Sequence, residues 1–462
     1  MLTYDLEQRG GLSRYDYLYR CIREDIFSGR LRPGEKLPSR RALANHLQTA
    51  VVTVESAYAQ LAAEGYIYAR ERSGYFVGTV ESRPPAPAPS LPPETETAAR
   101  EWLLDMRSSG SGTEGFPFSV WARLMRRVLS EKGETLLRAT PPNGALELRQ
   151  AIARQLYRFR GVSVNAEQLI VGAGTEYLYN LIVQLLGREA VYGVEDPGYD
   201  KAARVYALGG AAVAPLRVDG GGVLTEELEK SGAQILHISP NHQFPTGAVT
   251  PIGRRQQILQ WAAARAGRYV IEDDYDSEFR FTGLPIPTLG SIDRAGRVLY
   301  VNTFSRTLAP SLRISYLVLP EALCGRYRET LGFYSCTVPS MEQYTLSRFL
   351  DEGYFESHVN RMRNFYRARR DRVVSAIAQS PLAGRCRISG ENAGLHFLLT
   401  LETGRADHEL AARAEESGVR LSFLSDYQLR PGSAPEHVLI VNYPGVELAH
   451  LDEALRIVHS LL

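Results

Sequence analysis

The sequence predicts an α/β chain in two parts. A small N-terminal domain of three helices and a hairpin precedes a large C-terminal domain built on a mostly parallel sheet, which ends in a small α+β subdomain. Three observations carry this. Beyond about residue 100, short apolar runs alternate with helical stretches, the pattern that lays helices on the faces of parallel strands. The first 80 residues show helical periodicity three times and then a strand–turn–strand. Between them, residues 84–93 read PPAPAPSLPP, with six prolines in ten positions. Proline fixes φ and cannot donate to a ladder, so this stretch is an extended connector of about 30 Å. The expected divisions are 1–80, a Pro-rich linker at 81–99, and 100–462.

Composition narrows the class. At 462 residues the chain is too long for one ordinary core. Its 53 Lys+Arg against 52 Asp+Glu leave a formal charge of +1, which excludes a globally basic binder but not a local basic face. No apolar run approaches the ~18 residues that span a bilayer, and no membrane partner is expected. The N-terminal MLTYDLEQRGGLSRYDYLYR carries charges where a signal peptide needs an apolar stretch. Cys21, Cys324, Cys336 and Cys386 are scattered, without metal-ligand spacing, which fits a reducing cytoplasm. Lysine occurs only at Lys36, Lys132, Lys201 and Lys230, so none follows residue 230.

In the first part, Tyr15, Leu18, Tyr19, Ile22, Ile26 and Phe27 fall at helical spacing over 14–29, and Gly29 stands where the helix stops. Ser39 is an N-cap for a helix with Leu43, Ala44 and Leu47 on one face. A turn, Thr49-Ala50-Val51-Val52, leads to a helix over Thr53–Glu64 with Val54, Ala57, Tyr58 and Leu61 on one face, ended by Gly65. Tyr66–Tyr68, the turn Arg70–Gly74 and Tyr75–Val77 read strand, turn, strand. Two helices on a short turn followed by a β-wing make a winged helix-turn-helix. Its second helix enters the major groove of double-stranded operator DNA. Arg40, Arg41 and Thr53 then face DNA from the helices, and Arg70, Arg72, Ser73 and Gly74 from the wing. Val51 and Val52 cannot hydrogen-bond a base edge but can touch a thymine methyl, and Glu55 repels phosphate unless it reads cytosine. The bland reading is a winged helix that has lost DNA and serves as a protein contact.

In the second part, strand-like runs are expected at Leu169–Val171, Ala190–Val194, Gln234–Ile238, Tyr269–Ile271, Val298–Val301 and Tyr316–Leu319. Five polar segments punctuate them. These are VGAGTE (171–176), EDPGYDK (195–201), SPNHQFPTG (239–247), IEDDYDSEF (271–279) and TFSRTLAPSLR (303–313). The first follows a strand and opens a helix, where small residues and free N–H groups suit an anion.

The stretches PGEKLPSRRALANHL and TVESAYAQLAAEGYIYARERSGYFV resemble the GntR class of bacterial regulators. The five segments, in this order and spacing, resemble fold-type I PLP-dependent aminotransferases. The whole chain is similar to MocR/GabR-type transcription regulators, in which an aminotransferase-like domain senses an effector and forms dimers, typically head-to-tail. The resemblance implies roles. Asp273 pairs with the pyridinium nitrogen of PLP, and Tyr275 reaches the ring hydroxyl. Gly174, Thr175 and Thr303 take phosphate-loop positions, and Arg313 that of the phosphate-binding arginine. Tyr199 lines the ring, and Asn241 and His242 lie in the ring-flanking loop.

Arg306 departs from the pattern, because it occupies the position of the Schiff-base lysine. That bond needs a neutral primary amine, and arginine stays protonated. The aminotransferase-like domain is therefore expected to be catalytically inactive. Three accounts stand: PLP or a PLP adduct binds without a covalent link; Arg306 pairs with another anionic ligand and PLP is absent; or the residue is engineered or decayed. A PLP-dependent enzyme using another lysine, Lys201 first, is the competing class, and a non-DNA-binding scaffold the third. The substrate-carboxylate arginine of amino-acid aminotransferases also has no counterpart in Val438–Tyr443, and nearby Arg430 reads as a surface residue.

Overall fold

A computed structural model of the chain describes residues 2–79, 102–107, 115–281 and 287–462. It divides into two compact units, Met1–Arg100 and Glu101–Leu462. The expected linker at 81–99 lies outside the described residues.

In the first unit, α1 (Arg14–Phe27), α2 (Arg40–His46) and α3 (Val51–Ala63) precede an antiparallel hairpin of β1 (Ile67–Arg70) and β2 (Gly74–Val77). Ser39 caps α2, its hydroxyl accepting the Ala42 N–H at 3.2 Å. Leu18, Ile22, Leu43, Val54, Tyr58, Leu61 and Val77 close one core. The third helix begins two residues before the expected Thr53, so Val51 and Val52 belong to its first turn rather than to the preceding loop. Its start is set by the extended backbone of Ala50, not by a polar cap, and a missing cap leaves no signal in the sequence. The hairpin turn is shorter than expected, because Arg70 and Gly74 are already paired across it.

The second unit is built on an eight-stranded sheet. Its strands are β3 (Leu169–Gly172), β4 (Val191–Asp196), β5 (Ala212–Asp219), β6 (Gly222–Val223), β7 (Ile235–Ile238), β8 (Tyr269–Asp273), β9 (Val298–Thr303) and β10 (Ser315–Val318). Their spatial order is β3-β10-β9-β8-β7-β4-β5-β6. The run β9-β8-β7-β4-β5 is parallel, while β10 is antiparallel to both β9 and β3. The expected runs anticipated six of these strands. They missed two: β5, which carries Pro215 and exposes Ala212, Arg217 and Asp219, and β6, which is only two residues long. Helices α4 (Leu146–Arg160), α5 (Thr175–Leu186) and α6 (Asp200–Leu208) pack on this sheet around two apolar cores. A final subdomain has a three-stranded antiparallel sheet, β11 (Cys386–Ser389), β12 (Phe397–Leu401) and β13 (Val438–Val441), with its own core. The polar segments all lie at strand ends, where α/β sheets place their ligands.

Candidate functional site

The pocket is built on Asp273, the last residue of β8. Its Oδ2 accepts the Tyr179 hydroxyl from α5 and lies 3.5 Å from His237 Nε2 on β7. His237 Nδ1 is in turn 2.5 Å from the Tyr206 hydroxyl of α6. Burial holds the Tyr179 and Tyr206 phenols well above their usual range, so both remain donors. Asp273 Oδ1 is buried and has no hydrogen-bond partner among the described residues. A buried carboxylate oxygen left open in this way suits a cationic N–H.

The rest of the pocket surrounds that oxygen with rings and one cation. Tyr275 hydroxyl lies 3.2 Å from His242 Nδ1, which is 2.9 Å from Asp276 Oδ2. Burial, reinforced by Asp276, raises the Tyr275 phenol well above its usual value, and the Arg306 charge opposes it. Burial likewise raises the Tyr199 phenol against the same Arg306 charge. His396 packs on His242 with ring centroids 4.9 Å apart. Burial, then the neighbouring His242, push its imidazole down to about 3, so it is neutral. Phe244 stands edge-on to Tyr199 at 6.2 Å and to Tyr275 at 6.4 Å. Arg306, half-buried in the loop after β9, lies near enough for its charge to oppose the raised Tyr199 and Tyr275 phenols and to help push down the His396 imidazole.

At the other end, Gly174 (φ +98°) precedes α5, and no side chain caps the helix. That φ is one L side chains rarely adopt, which favours glycine, and a Cβ there would also lie 2.3 Å from Arg313 Nη2 and displace the guanidinium. Arg313 Nη2 donates to Glu176 Oε2 at 3.1 Å and to the Ala173 carbonyl at 3.4 Å. Thr175 opens the same helix. Lys201 Nζ sits 3.8 Å from Glu176 Oε1, mostly exposed. The Thr303 hydroxyl accepts Ser305 N–H at 3.1 Å and Ser315 Oγ at 2.8 Å, which commits it to its own loop.

Asn241 is placed differently from a ligand-facing reading. Both ends of the Asn241 amide are used: Nδ2 donates to Asp274 at 2.8 Å and Oδ1 accepts Arg255 at 3.0 Å. It belongs to the polar floor of the pocket. Arg430 lies at the surface, as expected, with its side chain 44% exposed, but it is anchored there. Its Nε donates to Asp196 Oδ2 at 3.0 Å, and the fully buried Asp196 also accepts Leu429 N–H and Ser433 hydroxyl, each at 2.7 Å. Sequence reasoning missed Tyr179, His237, Phe244 and His396. The first two sit inside runs read only as helix and strand, and the last lies in a stretch that carried no motif.

Glu195, next to Asp196, makes the fold sensitive to pH. Its Oε2 accepts Ser239 N–H at 3.1 Å, and its Oε1 is buried with no hydrogen-bond partner among the described residues. Burial pushes its carboxyl up to about 8. Burial also raises Glu272 and Glu278, each to about 7. A carboxyl raised in the folded state favours folding at low pH, and that advantage is lost as pH climbs from the ordinary carboxyl range through the folded value. Stability is therefore expected to fall by a few kcal/mol (order of magnitude) between about pH 5 and 8. Urea midpoints across that range check this, and Glu195→Gln is expected to flatten the slope.

In the first unit, Arg40 ion-pairs with Glu55 of α3, which compensates the carboxylate expected to repel phosphate. Arg41 is exposed beside it, and Thr53 is half-buried. At the hairpin, the Arg70 guanidinium lies over the Phe76 ring at 4.9 Å and the Tyr68 ring at 5.5 Å. Arg72 and Ser73 are exposed in the turn, and Gly74 has φ +104°. The helix residues and the wing residues form two groups on the same small unit.

Residues 109–457 match the family described as aminotransferase class I and II, and residues 14–77 match bacterial regulatory proteins of the gntR family. The chain is 38% identical over 448 residues to the HTH-type transcriptional regulator YdeL of Bacillus subtilis (strain 168), covering 96% of this chain and 95% of that protein. It is 31% identical over 474 residues to the probable rhizopine catabolism regulatory protein MocR of Rhizobium meliloti, covering 98% and 95%. A crystal structure of Pyrococcus horikoshii kynurenine aminotransferase superposes with a TM-score of 0.68 at 21% identity, over 79% of this chain and 91% of that one, which shows the fold. Among the described residues no helix is long and apolar enough to cross a membrane. The chain belongs to the MocR-type family of HTH-type transcriptional regulators, which join a gntR-family domain to an aminotransferase class I and II domain.

Proposed function

We propose a cytoplasmic, ligand-responsive bacterial regulator that binds operator DNA through residues 1–80. In this reading residues 100–462 sense a small anionic molecule without turnover, and the 81–99 linker couples the two. One observation carries the sensing role: Asp273, at the end of β8 and held by Tyr179, keeps a buried oxygen with no hydrogen-bond partner among the described residues. A regulator needs only a ligand that prefers one of two states.

The residues present fit PLP at two points and not at the third. Asp273 Oδ1 suits the ring nitrogen, and the uncapped start of α5 with Arg313 suits the phosphate, with Gly174 and Thr175 beside it. Tyr199 and Tyr275 would flank the ring and Asn241 would lie below it, while Thr303, its hydroxyl held by Ser305 and Ser315, would shape the phosphate loop without contacting the phosphate. When bound, PLP supplies an electron-withdrawing ring and a dianion. Arg306 cannot supply the neutral amine of a covalent anchor or carry a proton between atoms, because it never deprotonates. It can bind an acidic group by its planar fork. The binding form is non-covalent PLP, a PLP adduct, or another anionic ligand in its place.

Arg41, Arg70, Arg72 and Ser73 face phosphates, with Arg40, Thr53 and Gly74 shaping the surface. The active form is a homodimer, head-to-tail as in the family it resembles. Absorbance titration with PLP, followed by borohydride and intact mass, tests the pocket. Saturable binding without a retained mass increment supports a non-covalent PLP sensor. A retained increment overturns it and points to Lys201 and an enzyme. No binding leaves the pocket to another anionic ligand. Gel shift against the chain's own upstream region separates the regulator from a scaffold.

A further inference from the structure

We infer that the leading edge of α3 reads thymine through its C5-methyl group. This rests on the DNA-binding reading above and goes beyond it to the bases.

The solvent face of α3 is short of hydrogen-bonding groups. Val51 is 40% exposed and Val52 65% exposed in the first turn, and Ala59 is exposed two turns on. None of these can donate to or accept from a base edge. Glu55, one turn after Val51, is held by Arg40, so its carboxylate is drawn away from a cytosine amino group. Ser56 and the half-buried Thr53 remain as short polar groups, and the exposed Gln60, two turns on, donates its amide to Glu64. A helix end with this inventory cannot discriminate by the bidentate pairs that arginine, asparagine or glutamine make. In the major groove the apolar feature on offer is the thymine methyl.

The surroundings select DNA as the occupant of this valine edge. No side chain caps the start of α3, whose Thr53 N–H donates to the Ala50 carbonyl at 3.0 Å, so a phosphate there meets the positive end of the helix rather than a capping oxygen. Arg41 is exposed on the adjacent helix, and Arg72 and the stacked Arg70 stand on the wing. These cations supply affinity without sequence preference. Sequence preference then falls to what the valines can touch. Operator half-sites are therefore expected to hold thymines at fixed positions under Val51 and Val52.

The test uses the full-length chain and a randomised duplex library. Enriched duplexes are titrated again with each thymine replaced in turn by deoxyuridine, which removes only the methyl. At the contacted positions the replacement is expected to weaken binding about threefold to fivefold, the value of burying one methyl. In Val52→Ser the protein is expected to bind thymine and deoxyuridine alike at one of those positions. Both valines are exposed, so unchanged circular dichroism and thermal midpoint certify the variants. If deoxyuridine costs nothing anywhere in a bound duplex, or if discrimination survives Val51→Ser and Val52→Ser together, the inference is overturned while DNA binding stands. If no duplex is enriched, both fail, and the valine edge is a protein contact.

Discussion

Asp274→Ala is expected to destabilise the large unit by about 3–5 kcal/mol, the cost of leaving a buried cation without its partner. Asp274 is buried beneath the pocket and accepts three donors: Arg160 Nη2 at 2.8 Å, Asn241 Nδ2 at 2.8 Å and Tyr300 hydroxyl at 2.6 Å. The Arg160 and Asp274 side chains are 7% and 1% exposed. Burial alone would lower the Arg160 guanidinium, but the Asp274 charge overrides it and holds the cation firmly protonated. Removing the carboxylate therefore strands a charge that cannot neutralise itself. Losing both charges costs less than losing one, because desolvation and attraction disappear together. Arg160→Met with Asp274→Leu is expected to recover much of the loss. Urea unfolding of the two single variants and the double reads this directly, and near-additive losses would contradict the coupling.

The same network shows what a sequence can and cannot disclose. The order of elements was legible, because apolar periodicity and helix boundaries are local. Gly29 and Gly65 take positive φ at the helix ends where the sequence placed them. The cap at Ser39 was legible for the same reason. Segments such as IEDDYDSEF were legible as polar breaks at strand ends, where a core cannot explain them. The assignment of individual carboxylates was not. Asp273 and Asp274 are adjacent, yet one points an unpartnered oxygen into the pocket and the other anchors its floor. The strand ends at Asp273, and Asp274 N–H still donates to the Val301 carbonyl of β9 at 2.9 Å, so the partners that separate the two come from distant segments. Asn241 shows the limit as well, since its partners Arg255 and Asp274 lie 14 and 33 residues away in the chain. The Asp196 clamp on Arg430 spans 234 residues and left no local signal.

Arg306→Lys is expected to convert the pocket from non-covalent to covalent retention of PLP. The change would read as a shift from no borohydride-fixed mass increment to one per chain. The prediction rests on the proposed PLP site: the Asp273 oxygen without a partner among the described residues, the uncapped start of α5 and the half-buried rings of Tyr199 and Tyr275. Lysine differs from arginine in the property that matters. Burial and neighbouring groups can bring its amine to neutrality, whereas the guanidinium holds its proton across the whole working range. A lysine at this position also withdraws the planar fork, so an acidic ligand that pairs with Arg306 should bind more weakly to the variant. The two readouts separate the accounts of the native residue. A gain of covalent PLP in the variant, with non-covalent PLP in the parent, makes the pocket a PLP sensor that has lost its anchor. Failure of both proteins to hold PLP would mean that the site has been rebuilt around the guanidinium, and the increment would then not appear at any concentration. A covalent increment in the unmodified parent would contradict the prediction outright, because it would require another amine. Lys201, 3.8 Å from Glu176 at the mouth of the anion site, is the residue to replace next, and Lys201→Gln should then abolish the increment.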